Sequence, residues 1–203
     1  MRTNIGLLFG SFNPIHIGHL ALANYILEYS DLSEIWFVVS PQNPFKDESE
    51  LIPESLRYRM VQMAIVGEPR FKVSDIEFNL PKPSYTINTL GKLTEEYPNF
   101  NFVIIIGSDN LISLDKWKDA EKIIQSFDFM IYPRPKFLVD ETLLSSKIKF
   151  INAPVFEISS TMIRKGLKEN RKLRYFLSKG VYDFIIENKL YREQLSKKTK
   201  SLP

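Results

Sequence analysis

Both histidines of the chain, His16 and His19, fall within one stretch of eight residues, 12–19. An apolar run precedes this stretch and a helical pattern follows it, so the pair lies at a strand-to-helix turn. Residues three apart share one face of a helix, and Gly18 between them leaves a flat surface for a purine or a ribose. Imidazole titrates near pH ~6.5, and a neighbouring polyphosphate would favour the cation, a charged donor. The pair therefore predicts phosphate chemistry.

The turn that carries the histidines begins with GSFNP at residues 10–14. Gly10 allows a ligand to approach the backbone closely, and the start of the next helix offers unpaired N–H groups and a positive dipole. In an open parallel sheet the first strand-to-helix turn usually holds phosphate. We therefore expect Gly10, Ser11, Phe12 and Gly18 to bind a triphosphate.

A second helix start, ISSTMIR at residues 158–164, is rich in hydroxyl groups. Small hydroxyl residues at a helix start leave backbone N–H groups open to phosphate oxygens. Arg164 lies one turn after Thr161, on the same face, and its guanidinium suits an anion. The alternative is an ordinary Ser/Thr helix cap followed by a surface arginine.

Short β-branched runs alternate with longer amphipathic stretches along the chain, which is typical of parallel strands joined by crossover helices. The pattern predicts strands at 4–9, 34–39, within 71–78, and at 101–107, 128–132 and 147–152. It predicts helices at 17–29, 53–66, from a cap at Ser84 to 96, from Ser160, and at 179–188. The expected fold is α/β, a Rossmann-like doubly wound parallel sheet. We expect a single domain over 1–195, with a small helical C-terminal annex from about 159 and a basic tail at 196–203.

Composition excludes several classes of protein. Hydrophobic residues make up 44% and charged residues 25% of the chain, close to the average of soluble proteins. The absence of cysteine excludes disulfides, thiolate metal sites and cysteine nucleophiles. A net charge of +3 gives little reason to expect nucleic acid as a partner, and the apolar runs are far shorter than the ~20 residues of a membrane span. Polar residues interrupt the N-terminal apolar region, so we expect no signal peptide and a cytoplasmic protein.

The two phosphate motifs also carry a family resemblance. GSFNPIHIGHL at 10–20 and ISSTMIR at 158–164 resemble the two signatures of the HxGH nucleotidyltransferase superfamily. Within it, the chain resembles the bacterial nicotinate-nucleotide adenylyltransferases in four more segments, 40–46, 84–90, 107–117 and 134–135.

The resemblance implies a role for residues in each segment. Lys46 would bind phosphate, with Phe45 where the family commonly has histidine, and Asp109, after Gly107, would meet the nucleotide sugar. The nicotinate side would be formed by five residues: Ser84, Tyr85, Thr86, Trp117 and Arg134. Tyr85 and Thr86 would receive the nicotinate carboxylate through backbone N–H groups, and Trp117 would stack on the pyridine ring. Asn88 and Lys136 replace an acid and a glycine of the family pattern. The ATP side would include Ile158, Ser159, Ser160 and Thr161.

The implied reaction is adenylyl transfer from ATP to nicotinate mononucleotide, giving nicotinate adenine dinucleotide and pyrophosphate in NAD biosynthesis. The attacking phosphate has a second pKa near ~6 and is already ionised at neutral pH, so no general base is required. His16, His19, Lys46 and Arg164 would offset phosphate repulsion. Mg²⁺ would arrive with ATP, with no dedicated protein ligand.

Other functions fit parts of the sequence. Cytidylyltransferases and pantetheine-phosphate adenylyltransferases share the fold and an HxGH-like turn, but the 84–90 segment and Trp117 argue against both. Class I aminoacyl-tRNA synthetases carry HIGH, spelled here by residues 16–19, yet the chain is short for one and lacks a KMSKS-like loop. A nucleotide-binding regulator without catalysis is the remaining alternative. The sequence indicates no oligomeric state.

Overall fold

A parallel six-stranded sheet forms the centre of this computed structural model, which describes residues 2–42, 51–135, 137 and 144–192. The strands are β1 Thr3–Gly10, β2 Glu34–Val39, β3 Phe71–Ser74, β4 Phe100–Gly107, β5 Asp128–Tyr132 and β6 Ile148–Phe150. Their order across the sheet is β3-β2-β1-β4-β5-β6, and every neighbouring pair is parallel. The strands β1, β2 and β4 are nearly continuous apolar runs because helices cover both faces of the sheet.

Helices pack on both faces of the sheet. They are α1 Ile17–Glu28, α2 Glu54–Ala64, α3 Thr86–Glu96, α4 Ser108–Ile112, α5 Ala120–Ser126, α6 Ser160–Lys168 and α7 Lys179–Glu187. Apolar residues of α1, α2, α6 and α7 share one core with Leu8, whereas those of α3, α4 and α5 share the other with Ile5 and Leu7. The successive residues Leu7 and Leu8 thus point to opposite cores, as strand geometry requires. The predicted doubly wound α/β fold is confirmed.

The strand order reverses at β1, which lies between β2 and β4. Connections on the two sides of such a point diverge and leave a crevice beyond the carboxyl ends of the strands. Gly10 ends β1 and Gly107 ends β4. The two predicted ligand-facing glycines therefore flank the crevice.

One predicted helix start is wrong. Ser84 does not cap α3: the residue before the helix is Tyr85, with no side-chain cap hydrogen bond. The backbone N–H of Ser84 instead donates to the carbonyl of Gln42 at 3.1 Å. The short helices α4 and α5, of 5 and 7 residues, were not predicted, since neither is long enough to show helical periodicity.

The C-terminal helices pack on the same core as the sheet. Ile163 of α6 and Val181 of α7 are fully buried in the cluster that includes Leu8, and α7 lies against α2. Among the described residues no helix is both long and apolar enough to cross a membrane. The predicted basic tail, 196–203, lies outside the described residues.

Candidate active site

A cleft of about 850 Å³ opens beyond the carboxyl ends of β1 and β4. It brings together all the predicted site residues that the structure describes: Gly10, Ser11, Phe12, His16, Gly18, His19, Ser84, Tyr85, Thr86, Gly107, Asp109, Trp117, Arg134, Ile158, Ser159, Ser160, Thr161 and Arg164. Lys46 lies outside the described residues, as does its neighbour Phe45. Segments separated by more than 150 positions in the sequence thus meet around one space large enough for two nucleotides.

The two imidazoles form a stacked pair at the start of α1. Their ring centroids are 3.7 Å apart with an interplanar angle of 28°. His16 precedes the helix in an extended conformation, and its backbone N–H donates to Nδ1 of His19 at 3.3 Å. Because that Nδ1 accepts, neutral His19 carries its proton on Nε2 and can donate from there.

His16 is uncharged at neutral pH in the protein without ligand. Its side chain is 5% exposed, and burial, reinforced by the charge of Arg134, lowers its pKa to about 4. A proton on His16 would therefore require the anionic ligand, which is the condition under which the sequence predicts charged imidazoles. His19 is half-buried.

Gly10 and Gly18 lie close to aromatic side chains of the same turn, where a Cβ atom would make unusually close contacts. A Cβ at Gly10 would lie 2.8 Å from the Phe12 ring, and one at Gly18 would lie 3.1 Å from Nδ1 of His16. The flat surface expected at Gly18 is therefore occupied by His16. Phe12 adopts a positive φ of 45°, which sends its ring into the core, 3% exposed, against Phe37. Only the backbone of Phe12 remains to meet a phosphate.

The start of α6 is fastened to the turn after β1. The Ser159 hydroxyl accepts from the N–H of Met162 at 3.1 Å, an ordinary helix cap. Ser160 Oγ donates to the carbonyl of Pro14 at 2.8 Å, and Arg164 Nη1 donates to the carbonyl of Asn13 at 3.0 Å. The two predicted phosphate motifs are therefore in direct contact, and two helix N-termini converge on one region of the cleft.

The opposite wall consists of the start of α3 and the segment after β4. Tyr85 and Thr86 open α3, so the first backbone N–H groups of the helix lie beside the cleft. Nζ of Lys118 lies 4.8 Å from the Tyr85 ring centroid, which adds a positive charge to this wall. Trp117 is half-buried, packing on the core while it also lines the cleft. An N-terminus with a neighbouring cation suits a carboxylate.

Glu77 supports this wall from beneath. The residue is 2% exposed, and its Oε1 accepts from the Thr89 hydroxyl of α3 at 2.8 Å. Burial raises the pKa of Glu77, while hydrogen bonds with Thr89, Ser40 and Ser84 oppose that rise. Glu77 thereby holds α3 from below, and the backbone N–H of Ser84, which donates to the carbonyl of Gln42 at 3.1 Å, ties the 84–86 segment to the connection after β2.

Asp109 and Arg134 face each other between the ends of β4 and β5. Arg134 Nε lies 3.7 Å from Oδ1 of Asp109, and its guanidinium lies 5.2 Å from the Tyr132 ring centroid. The backbone N–H of Arg134 donates to the Ser108 hydroxyl at 3.0 Å. This edge offers a carboxylate for ribose hydroxyls and a guanidinium for phosphate.

Sequence reasoning missed three residues that hold the turn after β1. They are Arg57, Asn13 and Tyr191. The guanidinium of the buried Arg57 donates a hydrogen bond to the carbonyl of Ser11, and Oδ1 of Asn13 accepts one from the hydroxyl of Tyr191 at 2.8 Å. The sequence contains one indication that Arg57 is buried, because it lies three positions before Met60 and therefore on the apolar face of α2. No sequence pattern indicated a role for Tyr191, because its partner Asn13 lies 178 positions away.

The described residues contain no group of three or more histidine and carboxylate side chains placed to hold a metal ion. Two described carboxyl groups line the cleft: Glu77, which is buried and hydrogen-bonded to Thr89, and Asp109, which is half-buried. This donor set fits Mg²⁺ that is held mainly by phosphate oxygens and water, the usual state of that ion with nucleotides.

The fold and the two convergent phosphate motifs define a nucleotidyltransferase. The family model described as cytidylyltransferase-like matches residues 7–166, which is most of the chain. At a finer level, the chain belongs to the nicotinate-nucleotide adenylyltransferase family. A Bacteroides fragilis relative is 52% identical over 92% of this chain and 92% of its own length. A Cytophaga hutchinsonii relative is 46% identical over 92% of this chain and 97% of its own. Both are named probable nicotinate-nucleotide adenylyltransferase.

A solved structure has the same architecture. The Plasmodium falciparum nicotinic acid mononucleotide adenylyltransferase, solved as a complex with NaAD, superposes with a TM-score of 0.80 at 27% identity. The match covers 93% of this chain and 97% of that one. The agreement therefore extends over the sheet, its flanking helices and the segments that line the cleft.

Proposed function

We propose that the cleft transfers the adenylyl group of ATP to the phosphate of nicotinate mononucleotide, giving nicotinate adenine dinucleotide and pyrophosphate. The observation that carries this proposal is that two separate helix starts suited to anions line one cleft. We assign the triphosphate to the histidine turn and the start of α6, and the nicotinate carboxylate to the start of α3 with Trp117. Family membership supports the same reaction.

The chemistry needs positioning more than acid–base catalysis. A phosphate oxygen of the mononucleotide attacks the α-phosphorus of ATP, the bond from that phosphorus to the bridging oxygen breaks, and pyrophosphate leaves with that oxygen. Both partners are ionised at neutral pH, since a phosphomonoester has a second pKa near ~6. Holding two anions in line is the difficulty, and oriented binding can contribute up to ~7–11 kcal/mol to such a step.

On the ATP wall, His16, His19 and Arg164 offset the repulsion between phosphates. His19 donates from Nε2, and Arg164 adds a permanent charge beside the turn. His16 would take up a proton as the triphosphate enters, because the anion raises an imidazole pKa that burial had lowered. Lys46 stays a prediction for the same wall. The ribose would meet Asp109.

On the other wall, the N–H groups that open α3 would receive the nicotinate carboxylate, and Trp117 would stack on the pyridine ring. Lys118 beside Tyr85 favours an acid over a neutral amide at this position. Arg134 would bind the phosphate of the mononucleotide.

Mg²⁺ would come with ATP, coordinated by phosphate oxygens and water, and would neutralise charge on the departing pyrophosphate. We further predict a cytoplasmic location, where both substrates occur, and no nucleic-acid partner, since the net charge is only +3.

The experiment is pyrophosphate release with ATP and each of two acceptors, nicotinate mononucleotide and nicotinamide mononucleotide. Each donor left unpaired by the amide costs ~1–3 kcal/mol, so we expect kcat/KM to favour the acid by roughly ten- to a hundredfold or more. ATP with phosphopantetheine, and CTP with nicotinate mononucleotide, serve as the controls for the related transferases. Equal turnover of the two mononucleotides would contradict the assigned carboxylate site.

A further inference from the structure

Arg57 is a charged side chain buried beneath the cleft, only 1% exposed. Nη1 donates to the carbonyls of Ser11 at 2.6 Å and Ser40 at 2.7 Å. Nη2 donates to the carbonyl of Pro41 at 3.0 Å, and Nε donates to that of Ile52 at 2.9 Å. Four of the five N–H groups of the guanidinium are thus accounted for by backbone carbonyls.

These carbonyls belong to two segments that the sheet joins at one point, where the N–H of Ser40 donates to the carbonyl of Gly10 at 2.9 Å. Ser11 lies in the turn after β1, which carries the histidines. Ser40 and Pro41 begin the connection that follows β2, and Ile52 lies near its end, just before α2. One planar group therefore fixes both ends of this connection against the turn.

Stability alone is a poor explanation for this arrangement. A buried ion costs several kcal/mol of desolvation, and well-packed apolar residues of similar volume are often as stabilising or more so. Burial lowers the pKa of Arg57, and the charge of Glu54 only partly opposes this shift; among the described residues Arg57 forms no salt bridge. The guanidinium supplies a rigid, planar set of N–H donors (a fork), which an apolar side chain cannot provide.

We propose that Arg57 is a positioning residue for the transfer reaction: it sets the distance between the turn after β1 and the connection after β2, and so the shape of the triphosphate site. This inference rests on the proposed function. Arg57 has no place among the residues that line the cleft and acts through the carbonyls it holds. A displacement of about 1 Å in reacting groups can cost 10²-fold in rate, so loss of the fork should be visible in kinetics.

The test uses Arg57→Lys, which keeps the charge but not the fork, and Arg57→Ala, which leaves a cavity of guanidinium shape. We expect kcat/KM for ATP to fall roughly ten- to a hundredfold in both, at temperatures where circular dichroism shows a folded protein. Guanidinium ion at tens of millimolar, far below the molar range that unfolds proteins, should restore Arg57→Ala activity. Methylammonium should not restore it.

The matched control is Arg59→Ala, an exposed arginine of the same helix that lies over the Phe184 ring. It should keep wild-type kinetics. Wild-type kcat/KM in folded Arg57→Lys would overturn the inference, and so would a variant that fails to fold at all, since Arg57 would then serve the fold. Absence of transfer by the wild-type protein would instead contradict the proposed function.

Discussion

The buried imidazole of His16 makes stability depend on pH. Its pKa is about 4 in the folded protein against 6.5 when free, so between those values the unfolded chain binds more protons. The free energy of unfolding should therefore fall as the pH drops from about 6.5 to about 4 and level off below. The shift corresponds to on the order of 3 kcal/mol at most. Urea denaturation at pH 7 and pH 4.5 measures the effect.

His16→Asn is the comparison for that measurement, because the variant lacks the buried imidazole and keeps every other titratable group, including His19. Its stability should change less between the two pH values than that of the wild-type protein, while the carboxylates affect both proteins alike. Equal pH dependence in the two proteins would show that His16 is not held neutral by the fold.

His19 carries the clearest catalytic prediction at the scale of a residue. His19→Ala removes a donor already oriented by the N–H of His16, and loss of such a preorganised donor costs ~10²–10³-fold in kcat. Asn24→Ala, on the exposed face of the same helix, is the control and should keep full activity. The measurement is steady-state kcat of the folded variants. A wild-type kcat in His19→Ala would remove His19 from the mechanism.

Residue types and spacing predicted which groups face the cleft better than they predicted how those groups are held. His16, His19 and Arg164 are where the motifs indicated. The neutrality of His16 and the inward ring of Phe12 were not predictable, because both depend on burial by segments far away in the sequence.

Among the secondary-structure elements, the two hydroxyl-rich helix starts differ in outcome for a physical reason. Ser159 caps α6 as its sequence suggests. Ser84 does not cap α3: its backbone N–H donates to the carbonyl of Gln42, and the helix begins only after Tyr85. A contact with a distant segment thus takes part in setting where the helix starts, and the local sequence does not record that contact.

The sheet likewise depends on contacts that the local sequence does not record. The strands were predictable from their apolar runs, and the parallel arrangement followed from the alternation with helices. The order of the strands across the sheet was not predictable, because no local sequence pattern indicates that β4 lies beside β1. That adjacency, with Leu8 opposite Ile105, creates the crevice on which the site depends.

At the scale of the whole molecule, the end of the described chain is tied to its beginning. Tyr191 donates its hydroxyl to Oδ1 of Asn13 at 2.8 Å, and burial raises the pKa of this phenol well above its usual value. Asn13 is also the residue whose carbonyl receives Arg164. The region after α7 thus helps to immobilise the turn that we assign to phosphate binding.

Tyr191→Phe removes this one hydrogen bond and keeps the ring. We expect the free energy of unfolding to fall by ~1 kcal/mol, since a buried acceptor loses its donor. We also expect a smaller rise in Tm on addition of ATP, because a less ordered turn binds the nucleotide more weakly and ligand stabilisation follows affinity. Tyr175→Phe, at an 86% exposed position, is the control and should change neither quantity. If both variants match the wild-type protein in Tm and in its ATP-dependent rise, the C-terminal region does not support the site.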